Sequence, residues 1–132
     1  MRTLLQKPAI QIGLKLALLL AAVEGSLYFD NHRHATLRDL TITAIFGLVY
    51  FAVLEGLSAK GFIIRGRETW LYMFLTFSGF TDIVSLIQKM DNPSTTWAGR
   101  SADFLFGLIF NGLIGASIDA VVDYRRRSRT QQ

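Results

Sequence analysis

Four carboxylates in this sequence stand inside long apolar stretches: Glu24, Glu55, Asp82 and Asp119. A charge at the centre of a bilayer costs about 2.5–3.5 kcal/mol on insertion scales, and less toward the edges. Acidic residues kept at that cost pair with another group, exchange protons or line a water path. Carboxylates at two depths with an amide between them suit a proton or cation relay. Asn111 supplies such an amide, and Lys15 is the basic residue inside an apolar stretch. The same residues also have a structural use, as interhelical hydrogen bonds that hold an assembly together. Lys15 has two readings of its own. It pairs with Glu55 or Asp119, or it extends its ammonium to the lipid headgroups.

Other chemistries find less support. Cysteine is absent, which excludes disulfides, thiolate metal sites and cysteine nucleophiles. His32 and His34 are weak metal candidates in a short polar run that also holds Asp30. Two histidines one residue apart fall short of the four ligands of a structural zinc site, so no metal or cofactor is expected. Ser26, Ser78 and Ser85 have no histidine in their own stretches to act as a base. Walker-type loops and dinucleotide fingerprints are missing. No residue is assigned a catalytic role, and the chain is not expected to be an enzyme.

The elements that position these residues are helices in a membrane. Hydrophobic residues make up 51% of the 132 residues and charged ones 18%, and the charges fall mainly between the apolar stretches. A bilayer core of about 30 Å needs about 20 apolar helical residues. Four stretches qualify, at about residues 9–29, 40–59, 69–88 and 102–122. The expectation is an all-α fold, a single membrane domain of four transmembrane helices over residues 1–132. A soluble four-helix bundle would carry a polar stripe along every helix, but residues 44–54 and 104–114 are apolar nearly all round. The first stretch resembles a signal peptide in its basic start. Leu20 spoils a small-residue cleavage pattern ending at Ala22, so this stretch is read as a span.

Four spans put both ends and the middle loop on one side. That side carries nine basic residues: Arg2, Lys7, Lys60, Arg65, Arg67, Arg125, Arg126, Arg127 and Arg129. The other side carries four: Arg33, Arg38, Lys89 and Arg100. The positive-inside rule then places both termini in the cytoplasm, in what reads as a bacterial inner membrane. The net charge of +4 is a topology signal of this kind, not a nucleic-acid footprint. Trp70, Tyr72, Tyr28, Trp97 and Tyr124 fall near span ends, as in an aromatic belt.

Helix faces carry the last expectation. Gly13, Ala17, Ala21 and Gly25 recur every four residues beside Glu24. Ala44, Leu48 and Ala52 share a face with Glu55. Ser78, Gly79 and Ser85 accompany Asp82, and Gly107, Asn111 and Gly115 lead to Asp119. Small residues allow close helix approach, so these faces are expected where helices meet, within or between chains. Depth at 1.5 Å per residue gives an outer pair, Glu24 and Asp82, and an inner pair, Glu55 and Asp119. The function expected is an oligomeric proton- or cation-coupled transporter or channel. The alternative is a non-catalytic subunit, or an assembly or immunity-type protein, of a larger membrane complex. Membrane lipid, further copies of the chain or other membrane subunits are the expected partners.

Overall fold

The computed structural model describes residues 7–61, 64, 66 and 68–130. Arg2, Arg65 and Arg67, counted above for orientation, lie outside the described residues. The described chain is all-helical: α1 (Pro8–Asp30), α2 (Leu37–Lys60), α3 (Trp70–Lys89) and α4 (Trp97–Thr130). Each helix is long and apolar enough to cross a membrane.

Local chemistry sets the ends. Pro8 opens α1, where its missing N–H costs nothing. Thr36 and Asp39 form a capping box at the start of α2, each side chain bonding the other's backbone N–H. Gly61 closes α2 in the left-handed region at φ 63°. Thr69 accepts from the Tyr72 N–H at 3.2 Å to start α3. The Thr96 hydroxyl accepts from the Gly99 N–H at 3.0 Å at the head of α4. The starts of α2 and α4 differ from the expected 40 and 102 because these capping residues are polar and hydropathy passes over them.

Helix α3 is the hub. It touches α1, α2 and α4, whereas the backbone of α4 lies close only to α3. The core joins Leu19, Val23 and Leu27 of α1 to Phe51 and Leu54 of α2 and Ile83, Leu86 and Ile87 of α3. Tyr50 of α2 lies edge-on to Phe104 of α4, with ring centroids 6.1 Å apart. Between α2 and α4 an apolar groove of about 270 Å³ remains, lined by Phe46, Ile83 and Phe104 among others. Helix α4 has 34 residues, about 51 Å at 1.5 Å each. Its last turns therefore run past a core of about 30 Å.

Two of the four expected faces are corrected. On α1, Gly13, Ala17 and Ala21 are exposed, and the Leu19–Val23–Leu27 row is buried instead. Branched side chains fill this contact, so the small residues are left outside. On α2, Leu48 and Ala52 are exposed. The buried row is Asp39, Thr43, Gly47, Phe51 and Glu55. Placing the start of this span at 40 left Asp39 in a loop and hid that row. The expected faces of α3 and α4 meet at Asp82 and Gly107, while Gly79 of α3 packs against Tyr50 of α2. A Cβ on Gly115 would stand 2.8 Å from the Leu71 Cα, closer than real contacts allow.

Replacing Gly115 with Ala should force α3 and α4 apart, because the obstacle is backbone. We expect a loss of about 1–3 kcal/mol, the usual cost of overpacking, read as a lower unfolding temperature in mild detergent. Gly13→Ala and Gly25→Ala, with nothing within 4 Å, should leave that temperature unchanged or raise it.

Candidate functional site

Each of the four intramembrane carboxylates has its own partner. Glu24 serves the turn after α1. Its Oε2 accepts from the Ala35 N–H at 2.9 Å, and its Oε1 faces His34 Nδ1 at 3.0 Å. Its side chain is 43% exposed, and it braces the turn between α1 and α2 and does not share a site with Asp82. His32 stands in the left-handed region at φ 55°. Among the described residues, no group of three or more His, Cys, Asp or Glu is placed to hold a metal ion.

Glu55 is buried where α1, α2 and α3 converge. Lys15 Nζ lies 3.2 Å from its Oε1. The Tyr72 hydroxyl donates to the same oxygen and accepts from Lys15. The Lys15 ammonium also stands over the Tyr72 ring, 4.3 Å from its centroid. Of the two readings of Lys15, the structure holds pairing with Glu55. Trp70, Tyr28, Trp97 and Tyr124 are exposed near helix ends, but Tyr72 is 6% exposed and is part of this knot rather than of an aromatic belt. In low dielectric a pair like this holds only when its other hydrogen bonds are made, and Tyr72 makes one.

Asp119 and Asp82 both lie on the seam between α3 and α4. Asp119 reaches from α4 to the first turn of α3, where Oδ1 accepts from the Trp70 N–H at 2.8 Å and Oδ2 from the Leu71 N–H at 3.0 Å. These are orphan donors of a helix start, satisfied here from another helix. A carboxylate there also meets the positive end of the helix dipole. Asp82 accepts from the Ser78 hydroxyl, and its carboxylate lies against the bare backbone of Gly107. A Cβ at Gly107 would stand 2.8 Å from Asp82 Oδ2. Asn111, one turn further along α4, donates from Nδ2 to the Gly107 carbonyl at 2.9 Å.

Polar clefts sit at both ends of this seam. One, of about 50 Å³, is lined by Asp82, Ser85, Lys89, Arg100 and Asp103 with two apolar neighbours. The other, of about 510 Å³, is lined by Glu68, Asp119, Asp123 and Arg126 among others. Of the six residues singled out from sequence, Asp82 and Asp119 stand at opposite ends of the seam, and Asn111 bonds its own helix at Gly107. Lys15 and Glu55 meet in the three-helix core, and Glu24 stands apart.

Sequence reasoning missed the clamp that joins the α1–α2 turn to the end of α3. Arg33 binds Asp91 through Nε–Oδ2 at 2.7 Å and Nη2–Oδ1 at 2.8 Å, and reaches Asp39 through Nη1 at 2.6 Å. Asn31 donates to the same Asp91 carboxylate. The Asp39 side chain is fully buried, and Arg38 lies 3.5 Å from its otherwise unbonded Oδ1. The Thr36-x-x-Asp39 spacing was the signal for this capping box. Nothing in the sequence marks Asp91 as its distant neighbour. The Arg33 guanidinium, followed by Asn31, holds the Asp91 carboxyl below its ordinary value. Asp91, and after it Asp39, raise Arg33 above its own.

No protein-family model, curated protein or solved structure matches this chain.

Two outcomes test these contacts. Lys15→Met leaves Glu55 buried and unpaired and should cost about 3–5 kcal/mol, whereas Lys15→Met with Glu55→Gln should recover much of that loss. A double-mutant cycle on unfolding in detergent measures the difference. Arg33→Gln removes the closer of the two cations beside Asp39, with Arg38 and the Thr36 donors remaining, and should cost less than Lys15→Met, about 1–3 kcal/mol, at pH 7. A depressed carboxylate contributes stability above its unfolded value, about 3.9 for Asp, and loses it as pH falls through the folded value. The gap between wild type and Arg33→Gln should therefore hold from pH 7 to about 5 and narrow below about 4.

Proposed function

We propose that this protein is a small membrane transport protein, working as an oligomer, that passes protons or small cations along the α3–α4 seam. The observation that carries this reading is the alignment of Asp82, Asn111 and Asp119 on one seam with a polar cleft at each end. Asp119 is level with Trp70 and Leu71. Asp82 lies eleven residues beyond Leu71, about 17 Å along the helix. Asn111 falls between them, about 6 Å along α4 from Gly107 and from Gly115. Intramembrane carboxylates facing a bundle interior commonly mark such relays. The backbone contact of Gly115 with Leu71 closes the seam, so passage needs a small separation of α3 and α4.

Lys15, Glu55 and Glu24 have no part in the path on this reading. Their contacts hold the three-helix core and the outer turn. The excess of basic residues at both ends and the middle loop puts those segments in the cytoplasm, with a bacterial inner membrane as the setting. No catalytic chemistry is proposed.

A second reading is a non-catalytic subunit of a larger membrane complex. The outward face of α4 favours it: Leu105, Phe106, Ile109, Phe110 and Leu113 are 54–73% exposed. On that reading Asp82 and Asp119 act only as struts.

Flux into proteoliposomes separates the two. Asp82→Asn, with assembly intact, should lower flux at least tenfold, and Glu24→Gln should leave it near wild type. Unchanged flux in Asp82→Asn would sink the transport reading. Co-purification of a different chain in mild detergent is the outcome expected of a subunit.

A further inference from the structure

We propose that the groove between α2 and α4 seats one acyl chain of a bilayer phospholipid, held as a partner of the protein and distinct from the exchanging lipid around it. Nothing in this depends on transport along the seam. The position, shape and wall chemistry of the groove each support it.

Helices α2 and α4 have no close backbone approach. Their side chains meet where the Tyr50 and Phe104 rings stand edge-on. From that contact toward the α3–α4 loop the two helices leave a slot. Phe46, one turn from Tyr50, forms one wall, and Trp97, Ser101 and Leu105 form the other. The floor is α3, where Ile83 is fully buried and Leu86 is 7% exposed. Trp97 is the first residue of α4 and lies half-exposed at the mouth, a place that suits the membrane interface. Arg100, itself buried, holds the ring there. Its Nη2 donates to the Thr95 and Lys89 carbonyls, and its guanidinium lies 5.1 Å from the Trp97 centroid.

Trp97 and Leu105 are separated by about 12 Å along the helix. One leaflet offers about 15 Å of hydrocarbon, half of a core of about 30 Å. The groove thus runs from the interface through most of one leaflet, which is the course of an acyl chain. Its volume, about 270 Å³, spread over that length leaves a section about 5 Å across. A methylene chain, whose carbons pack about 3.5–4.0 Å from their neighbours, fits that section. A second helix, about 10–12 Å across with its side chains, does not enter it.

The walls are aliphatic and aromatic apart from the Ser101 hydroxyl. A water molecule needs about two to four polar partners and does not find them there. An empty groove would leave its lining without contacts on one side, and a methylene chain restores them. The headgroup is not the recognised part. In the neighbouring cleft Asp82 and Asp103 stand against Lys89 and Arg100, and Lys89 is paired with Asp103 at 2.7 Å. That balance favours neither sign of headgroup charge, so selection falls to the chain.

The test uses the full chain in liposomes with a trace of phospholipid that carries a photoactivated diazirine midway along one acyl chain. Mass spectrometry locates the adducts. Exchanging lipid alone labels residues in order of exposure, so Leu113 at 64% would far exceed Leu86 at 7%. A seated chain should reverse that order, with Leu86 labelled at least threefold above Leu113. Phosphatidylcholine and phosphatidylglycerol probes should agree within about twofold. Ser101→Phe and Leu105→Trp each add a ring to the groove wall and should cut the Leu86 adduct at least threefold. Leu113→Phe should leave it unchanged. Two fillers are used so that one with wild-type helix content carries the comparison. Labelling in order of exposure would overturn the site, and a second copy seated over the groove gives that result. Leu86 adducts that persist in a folded filler variant would overturn it as well. Labelling of Leu86 by the phosphatidylglycerol probe alone would overturn recognition through the chain.

Discussion

In a hydrocarbon layer there is no water to satisfy a polar group, so every carboxylate in a span needs a partner built into the protein. The arrangement of this chain follows from that constraint. Glu55 brings Lys15 and Tyr72 to one point and so fixes the rotation of α1, α2 and α3 about their axes. Asp119 finds its donors at the open start of α3 and thereby fixes the height of α4. Asp82 rests between its own Ser78 and a glycine of α4. The apolar contacts are less selective, because lipid tails are as apolar as leucine. Polar matching sets register, and packing fills what is left.

The constraint divides the molecule. Helices α1 to α3 form a core closed by an ion pair and a tyrosine. Helix α4 is attached along one side, through glycines and two aspartates. Both polar clefts lie on the seam between them. This division gives the acids of α3 and α4 a different standing from Glu24 and Glu55, although all four look alike in the sequence.

The presence of four long apolar helices was legible because hydropathy over about 20 residues is a strong signal. The α4 face was legible as well, since Gly107, Asn111, Gly115 and Asp119 repeat at helical spacing and combine small residues with the polar ones. The α1 and α2 faces were not. On α1 the same four-residue period fits both the small residues and the row Leu19, Val23, Leu27, and periodicity does not say which row a partner covers. On α2 the decisive residue, Asp39, sits beyond the hydropathy boundary. Pairings such as Arg33 with Asp91 or Lys15 with Glu55 depend on where helices land beside one another. A single sequence carries the residue types for such contacts but not the distances. Arg100 was counted for topology alone, and its burial under the end of α3 emerges only from the fold.

The uninterrupted length of α4 has a mechanical consequence. No proline or break separates its arginine-rich end from the turn that holds Asp119 or from the glycines packed on α3. A pull or twist applied to Arg125–Arg129 is therefore not absorbed locally. It passes along a stiff rod that is tied to the start of α3 by the bonds from Asp119 to Trp70 and Leu71.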